Sequence, residues 1–164
     1  MDKVLIDTNI YAADEMGYQD VVEFISQLID DDRVMIMTSL VEMEIMSFWE
    51  IEIDPTIKAN RERYIEMADE MYDVSKSEMH LAAKIRRKAR ADIQRQKSIK
   101  APDAIIAASA FIHNATLVSN NDKDFTWIRD HFTYNNRKLD YVNPIQDKQD
   151  YADFNKAFVE SRRN

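Results

Sequence analysis

The chain opens on a short apolar run, Lys3–Asp7 (KVLID), rich in branched residues and closed by an acid. Such a run predicts a buried strand. From Tyr18 to Ile29, the positions Val21, Val22, Phe24, Ile25, Leu28 and Ile29 recur at helical spacing, and Asp30-Asp31-Asp32 ends that helix. Arg33–Met37 (RVMIM) predicts a second strand. Thr38 or Ser39 can cap the next helix, from about Leu40 towards Glu50, because a hydroxyl satisfies a free helix N–H. Asp54-Pro55 breaks the chain. Thr56–Tyr72 and Ser77–Gln96 are free of glycine and helical in propensity. Pro102 suits the first turn of a helix over Asp103–His113. Ala115–Ser119 (ATLVS) predicts a third strand, and Lys138–Val142 (KLDYV) a fourth, closed by Asn143-Pro144. The tail from Gln146 is polar, with a weak helical pattern at Tyr151, Phe154, Phe158 and Val159.

Strands that alternate with helices predict an α/β domain with a mainly parallel sheet. In such sheets ligands bind outside the carboxyl ends of the strands. That rule directs attention to Asp7, to Thr38-Ser39 and to the residues after Val118.

Composition narrows the chemistry. Among 164 residues there is a single glycine, Gly17, and no cysteine. Phosphate-binding loops of the Walker, Rossmann and kinase types each need several glycines, so none is present. Disulfides, thiolate nucleophiles and cysteine-ligated metals are excluded too. The three histidines, His80, His113 and His131, are too far apart in sequence for an HExxH zinc site. No apolar run approaches the ~20 residues of a membrane span, and the N-terminus lacks the apolar stretch of a signal peptide. A cytoplasmic protein is expected.

The net charge of -8 is unevenly distributed. Residues 1–73 hold 5 basic and 19 acidic side chains, a local charge of −14, whereas 74–164 hold 17 and 11, a local charge of +6. The basic residues concentrate in Lys76, Lys84, Arg86, Arg87, Lys88, Arg90, Arg95, Lys97 and Lys100, opposed only by Glu78 and Asp92. Such a run is commonly a solvated helix face. It is also what a phosphate backbone requires, because nucleic-acid binding follows the local field and not the overall charge.

Four acid-bearing segments fall at strand ends. Asp7-Thr8-Asn9 follows the first strand, and Glu44 lies in the helix after the second. Glu42 points roughly 160° away on the helical wheel, so only one of the two faces the cleft. Asp103 starts an otherwise small and aliphatic helix, and Asn121, Asp122 and Asp124 follow the third strand. Singly, each has an ordinary reading: Asp7 as a cap, Asp103 as an acid favoured by the helix dipole, Glu44 as a surface acid, Asn121 and Asp124 as turn residues. Together, in order, they suggest a set of carboxylates that a hard divalent cation would neutralise.

These segments resemble the PIN domain, and most closely VapC-type ribonuclease toxins of prokaryotic toxin–antitoxin pairs. The likeness runs from about Lys3 to Pro144 and is weakest between Ile51 and Lys97. It is carried by Asp7-Thr8-Asn9, by Thr38-Ser39 with Glu44 at the family's spacing, by Pro102-Asp103-Ala104-Ile105-Ile106-Ala107-Ala108, by Ala115–Ser119 leading to Asn121, Asp124 and Phe125, and by Asn143-Pro144. The resemblance selects Glu44 over Glu42.

The resemblance implies a three-layer α/β/α sandwich with a central, mainly parallel sheet of four to five strands. It implies an endoribonuclease that depends on one or two Mg²⁺ or Mn²⁺ ions. Asp7, Glu44, Asp103 and Asp124 would be the catalytic acids and metal ligands, with either Asn121 or Asp124 as the fourth ligand. Thr8, Asn9 and Ser119 would support them, Thr8 by holding the Asp7 carboxylate. Lys84, Arg86, Arg87, Arg90, Lys97 and Lys100 would guide RNA. An antitoxin protein is the implied partner and a homodimer the implied assembly; no membrane is involved. The expected organisation is a nuclease domain over residues 1–145, with a helical insertion around 51–75, and a tail over 146–164 that packs through Tyr151, Phe154 and Phe158. Met43, Met46, Phe48 and Trp49 fit either a partner groove or ordinary helix packing. A non-catalytic PIN-type module that holds an ion or a basic segment is the alternative. An aspartyl-phosphate phosphohydrolase ranks below both, because Asn9 stands where that chemistry wants a second aspartate.

Overall fold

The computed structural model describes residues 2–95 and 97–163. Gln96, where the second long helix was expected to end, and Asn164, the last residue of the tail, lie outside the described residues. Strand β1 (Lys3–Ile6) leads into α1 (Thr8–Glu15) and α2 (Gln19–Asp30). Next come β2 (Val34–Thr38), α3 (Ser39–Met46), a 3₁₀ turn (Trp49–Glu52), α4 (Pro55–Glu66) and β3 (Glu70–Tyr72). The long α5 (Lys76–Ala91) and α6 (Ala101–Ile112) precede β4 (Ala115–Val118) and α7 (Asp122–His131). A small hairpin, β5 (Thr133–Tyr134) with β6 (Arg137–Lys138), then β7 (Tyr141–Val142) and α8 (Lys148–Arg163), complete the chain.

The five-stranded sheet has the order β3-β2-β1-β4-β7, and every pairing in it is parallel. The expected α/β class and strand number are both observed. β1 is central because Val4, Leu5 and Ile6 are apolar on both faces and fully buried. With right-handed crossovers, connections stepping outward from β1 to β3 cover one face, and those returning through β4 to β7 cover the other. Direction reverses between β1 and β4. The crevice at their carboxyl ends is therefore where this topology places a ligand.

Several elements differ from the sequence expectation. The segment from Thr56 to Tyr72 is not one helix: α4 ends at Glu66, and Glu70–Tyr72 joins β2 as an edge strand. Asp69 makes the change of direction, since its carboxylate accepts from Met35 N–H at 2.8 Å and its own N–H donates to Met35 O. Residues 8–15 form a helix that the sequence pattern did not reveal, and the loop expected after β4 becomes α7, capped by Asn121. The fourth predicted strand divides, with Lys138 in the hairpin and Tyr141–Val142 on the sheet. At the start of α3, Thr38 occupies the cap position without a side-chain capping bond, and Ser39 Oγ instead accepts from Val74 N–H at 2.9 Å.

The second face depends on α5 and α6, which pack along each other. A capping box starts α5: Ser75 Oγ accepts from Glu78 N–H at 3.2 Å, and Glu78 accepts from Ser75 N–H at 2.6 Å. Glu78 is 1% exposed, and its other oxygen meets His113 Nε2 at 2.6 Å. His113 stacks on Tyr72, tying α5 to the end of α6 and to β3. The tail folds as α8. It has no fully buried residue and lies on the surface, with Tyr151 and Phe154 set edge-on against Tyr18 and Tyr18 Oη donating to Asp150.

Candidate active site

Asp7 sits at the switch point. Its N–H continues the β1–β4 ladder by donating to Val118 O at 2.9 Å. Its side chain then caps α1, accepting Thr8 N–H on Oδ1 at 2.8 Å. On the other oxygen it accepts the Ser119 hydroxyl at 2.8 Å and Asn9 Nδ2 at 3.2 Å. Capping and presentation to the crevice are thus one geometry. Asn9 also donates to Ser119 Oγ and accepts from Asn120 N–H, which fastens the turn after β1 to the turn after β4.

Thr8 contacts Asp7, as expected, and a second acid as well. Its backbone N–H holds Asp7, and its hydroxyl donates to Glu44 Oε2 at 2.7 Å. It therefore connects the first acid to the acid on α3. Asp103 lies in the first turn of α6, after Lys100 at the cap position. Asp124 lies in the first turn of α7. Asn121 accepts from its N–H at 3.3 Å and donates to its carboxylate at 3.0 Å. Asn121 thereby caps α7 and also contacts the Asp124 carboxylate.

The electrostatics show that these acids share one field. Burial, with a contribution from Glu44, pushes the Asp7 carboxyl from 3.8 up to about 6, although Ser119 and Thr8 pull against it. Burial and the charges of Asp7, Asp124 and Glu44 raise Asp103 to about 6 as well, with Lys100 opposing. An all-oxygen set of mutually repelling carboxylates is the donor chemistry that suits a hard divalent cation. Yet no group of three or more His, Cys, Asp or Glu among the described residues is drawn in tightly enough to hold an ion. Glu44 is turned to the Thr8 hydroxyl, and Asp124 is paired with Arg95.

Arg95 is the residue whose part in the site the sequence did not disclose. It stood only as one cation in the basic run, and nothing in its local pattern marks it as buried. The run itself wraps α5 instead of forming one line. Lys84 and Lys88 lie on one flank, Arg87 faces outward, and Arg90 and Arg86 lie on the other flank. Lys84, Arg87, Arg90, Lys97 and Lys100 are exposed. Arg86 is half-buried and donates to Ile99 O at 3.1 Å, so it braces the approach to α6.

Beyond the acids, Asn143 donates to Asn120 and to Asp122 and accepts from Ile145 N–H, which gives the Asn143-Pro144 motif a structural task. Although burial opposes it, Lys148, Tyr141 and Asn143 together hold the Asp122 carboxyl below its ordinary value. Asp122 is thus a structural acid beside the catalytic candidates.

The PIN domain family model matches residues 4–130, and the chain belongs to that family, whose members are generally nucleases that use divalent metal ions. Solved structures share the fold. The DNA-bound VapBC of Salmonella typhimurium is 18% identical, with a TM-score of 0.66 over 88% of this chain and 100% of that one. VapBC2 of Rickettsia felis, bound to a promoter DNA fragment, is 19% identical with a TM-score of 0.63, covering 86% and 98%. A toxin–antitoxin complex from Klebsiella pneumoniae is 20% identical with a TM-score of 0.61, covering 88% and 99%. No curated protein matches the sequence. Among the described residues, no helix is long and apolar enough to cross a membrane.

Proposed function

We propose that the protein is a divalent-metal-dependent endoribonuclease, the toxin of a toxin–antitoxin pair. The observation that carries this reading is the pairing of Asp7 and Asp103. Both stand at the carboxyl edge of the sheet, both are pushed to about 6, and Asp103 is raised in part by Asp7 itself. A buried acid, Asp7, and a half-buried one, Asp103, whose charged form Asp7 disfavours, are retained at a topological switch point where a cation would relieve them.

Asp7, Glu44, Asp103 and Asp124 would hold one or two Mg²⁺ or Mn²⁺ ions. When bound, such an ion supplies Lewis-acid stabilisation of phosphate charge and activation of water. The chain's own residues do the rest. Ser119, Asn9 and Thr8 N–H fix the Asp7 carboxylate, and the Thr8 hydroxyl orients Glu44. The exposed cations Lys84, Arg87, Arg90, Lys97 and Lys100 attract the RNA backbone, offsetting the repulsion of an acidic pocket. Toxin–antitoxin complexes among proteins of the same fold support an antitoxin as partner. The homodimer is supported by the family resemblance alone.

The decisive assay incubates structured RNAs with the protein and Mn²⁺, or with chelator. The wild type is expected to cleave only with metal, and Asp7→Ala/Asp103→Ala is expected not to cleave. Equal cleavage by wild type and double variant would overturn the nuclease reading and leave the non-catalytic ion-binding module.

A further inference from the structure

Arg95 lies in the connection between α5 and α6, and its side chain is only 6% exposed. Its guanidinium donates from Nη2 to Oδ1 of Asp124 and stands 5.2 Å from the centre of the Trp127 ring. Trp127 is itself held, because Nε1 donates to Asp92 Oδ2 at 2.8 Å. The backbone closes the same turn, Arg95 N–H donating to Asp92 O at 3.1 Å. Yet Arg95 Nε is buried and finds no acceptor among the described residues. A buried guanidinium with an idle donor is not the arrangement that stability alone would favour. What it achieves is to place a positive charge against one of the four acids, Asp124, whose own charge is felt by Asp103.

We propose that Arg95 is a built-in counter-cation of the acidic pocket, which competes with the divalent ion for Asp124 and must release that carboxylate before the ion is fully held. It accounts for Asp124 being paired with a cation of the chain itself and not turned to the other acids. Asp124 has one oxygen committed to Asn121 and the other to Arg95. The proposal rests on the reading of Asp124 as a metal ligand. A purely structural tie makes the opposite forecast, since its loss would loosen the site and weaken the ion's binding.

The test is a Mn²⁺ titration of the full chain by calorimetry at about neutral pH, without RNA. Arg95→Ala is expected to bind Mn²⁺ at least about tenfold more tightly than wild type, the equivalent of one lost charge-assisted hydrogen bond. In an Asp124→Asn background the same change is expected to do nothing. A second readout is optical. In a Trp49→Phe chain, Mn²⁺ or Mg²⁺ is expected to shift Trp127 emission when Arg95 is present and not in Arg95→Ala. Equal or weaker binding by Arg95→Ala overturns the proposal while leaving the metal site standing, provided wild-type binding is lost in Asp7→Asn/Asp103→Asn. Absence of saturable binding by both wild type and Arg95→Ala overturns the metal-site reading and this proposal together.

Discussion

The Ser119 hydroxyl donates to Asp7 Oδ2 across 2.8 Å, and this bond joins residues 112 positions apart at the ends of β4 and β1. Ser119 is fully buried and also accepts from Asn121 N–H and Asn9 Nδ2. One hydroxyl thereby organises both turns of the crevice. It also opposes the upward displacement of the Asp7 carboxyl that burial causes.

Replacing Ser119 with Ala should therefore act twice. Stability should fall by about 1–3 kcal/mol, because two donors lose their acceptor, as chemical denaturation would measure. The Asp7 carboxyl should also titrate higher than about 6, which a pH series of carboxyl NMR shifts would detect. An unchanged titration would mean that the hydroxyl does not stabilise the charged form.

Substituting Asp7 or Asp103 by Asn should separate activity from stability. Cleavage should drop by more than about 100-fold, beyond the usual cost of losing an outer partner of a metal ligand. Asp103→Asn should leave the metal-free melting temperature unchanged or raised, since it removes repulsion from Asp7, Asp124 and Glu44. A loss of melting temperature in parallel with activity would point to a structural carboxylate.

The raised Asp7 carboxyl has a definite sign in a pH series. Between the ordinary 3.8 and about 6 the folded chain holds a proton that the unfolded chain has released. Stability of the metal-free protein should therefore decline as pH rises through that window, by an amount on the order of 3 kcal/mol from Asp7. Asp7→Asn should lessen the decline, with Asp103, raised over the same window, supplying what remains. Divalent-ion affinity should run the other way, weakening as pH falls below about 6 because protons compete for Asp7 and Asp103.

Arg86 and Arg87 are neighbours with opposite forecasts. Arg86→Ala removes the bond to Ile99 O and should cost about 1 kcal/mol. Arg87→Ala should change stability by no more than about 0.5 kcal/mol but reduce the salt slope of RNA binding by about 1. Equal salt slopes for wild type and Arg87→Ala would remove that residue from the RNA path.

Glu78→Ala tests the brace of the second face. It removes the reciprocal cap of α5 and the bond to His113, both buried, and should destabilise by about 2–4 kcal/mol. Urea denaturation would measure this, and a change below about 1 kcal/mol would show that the connection between α5 and α6 is held elsewhere.

Local pattern alone determined the central strands, the helices α2 and α5 and the positions of the acids along the chain. β1, β2 and β4 are continuous apolar runs, and α2 and α5 carry apolar residues at helical spacing, so burial is written directly into residue order. Edge elements were not legible in the same way. β3 is three residues long, polar in part, and made a strand only by its pairing with β2. α1 shows little periodicity because one of its inward positions is an alanine, and α7 looks like a polar turn until Phe125 and Ile128 find the core. The tertiary structure alone decided how the acids are partnered. Thr8 serves Glu44 as well as Asp7, Ser119 reaches Asp7 from the far end of the chain, and Arg95 is buried against Asp124. Hydrogen bonds and ion pairs between residues 29 to 112 positions apart depend on how the turns after β1 and β4 and the connection before α6 converge in space. No periodicity along the chain encodes that convergence.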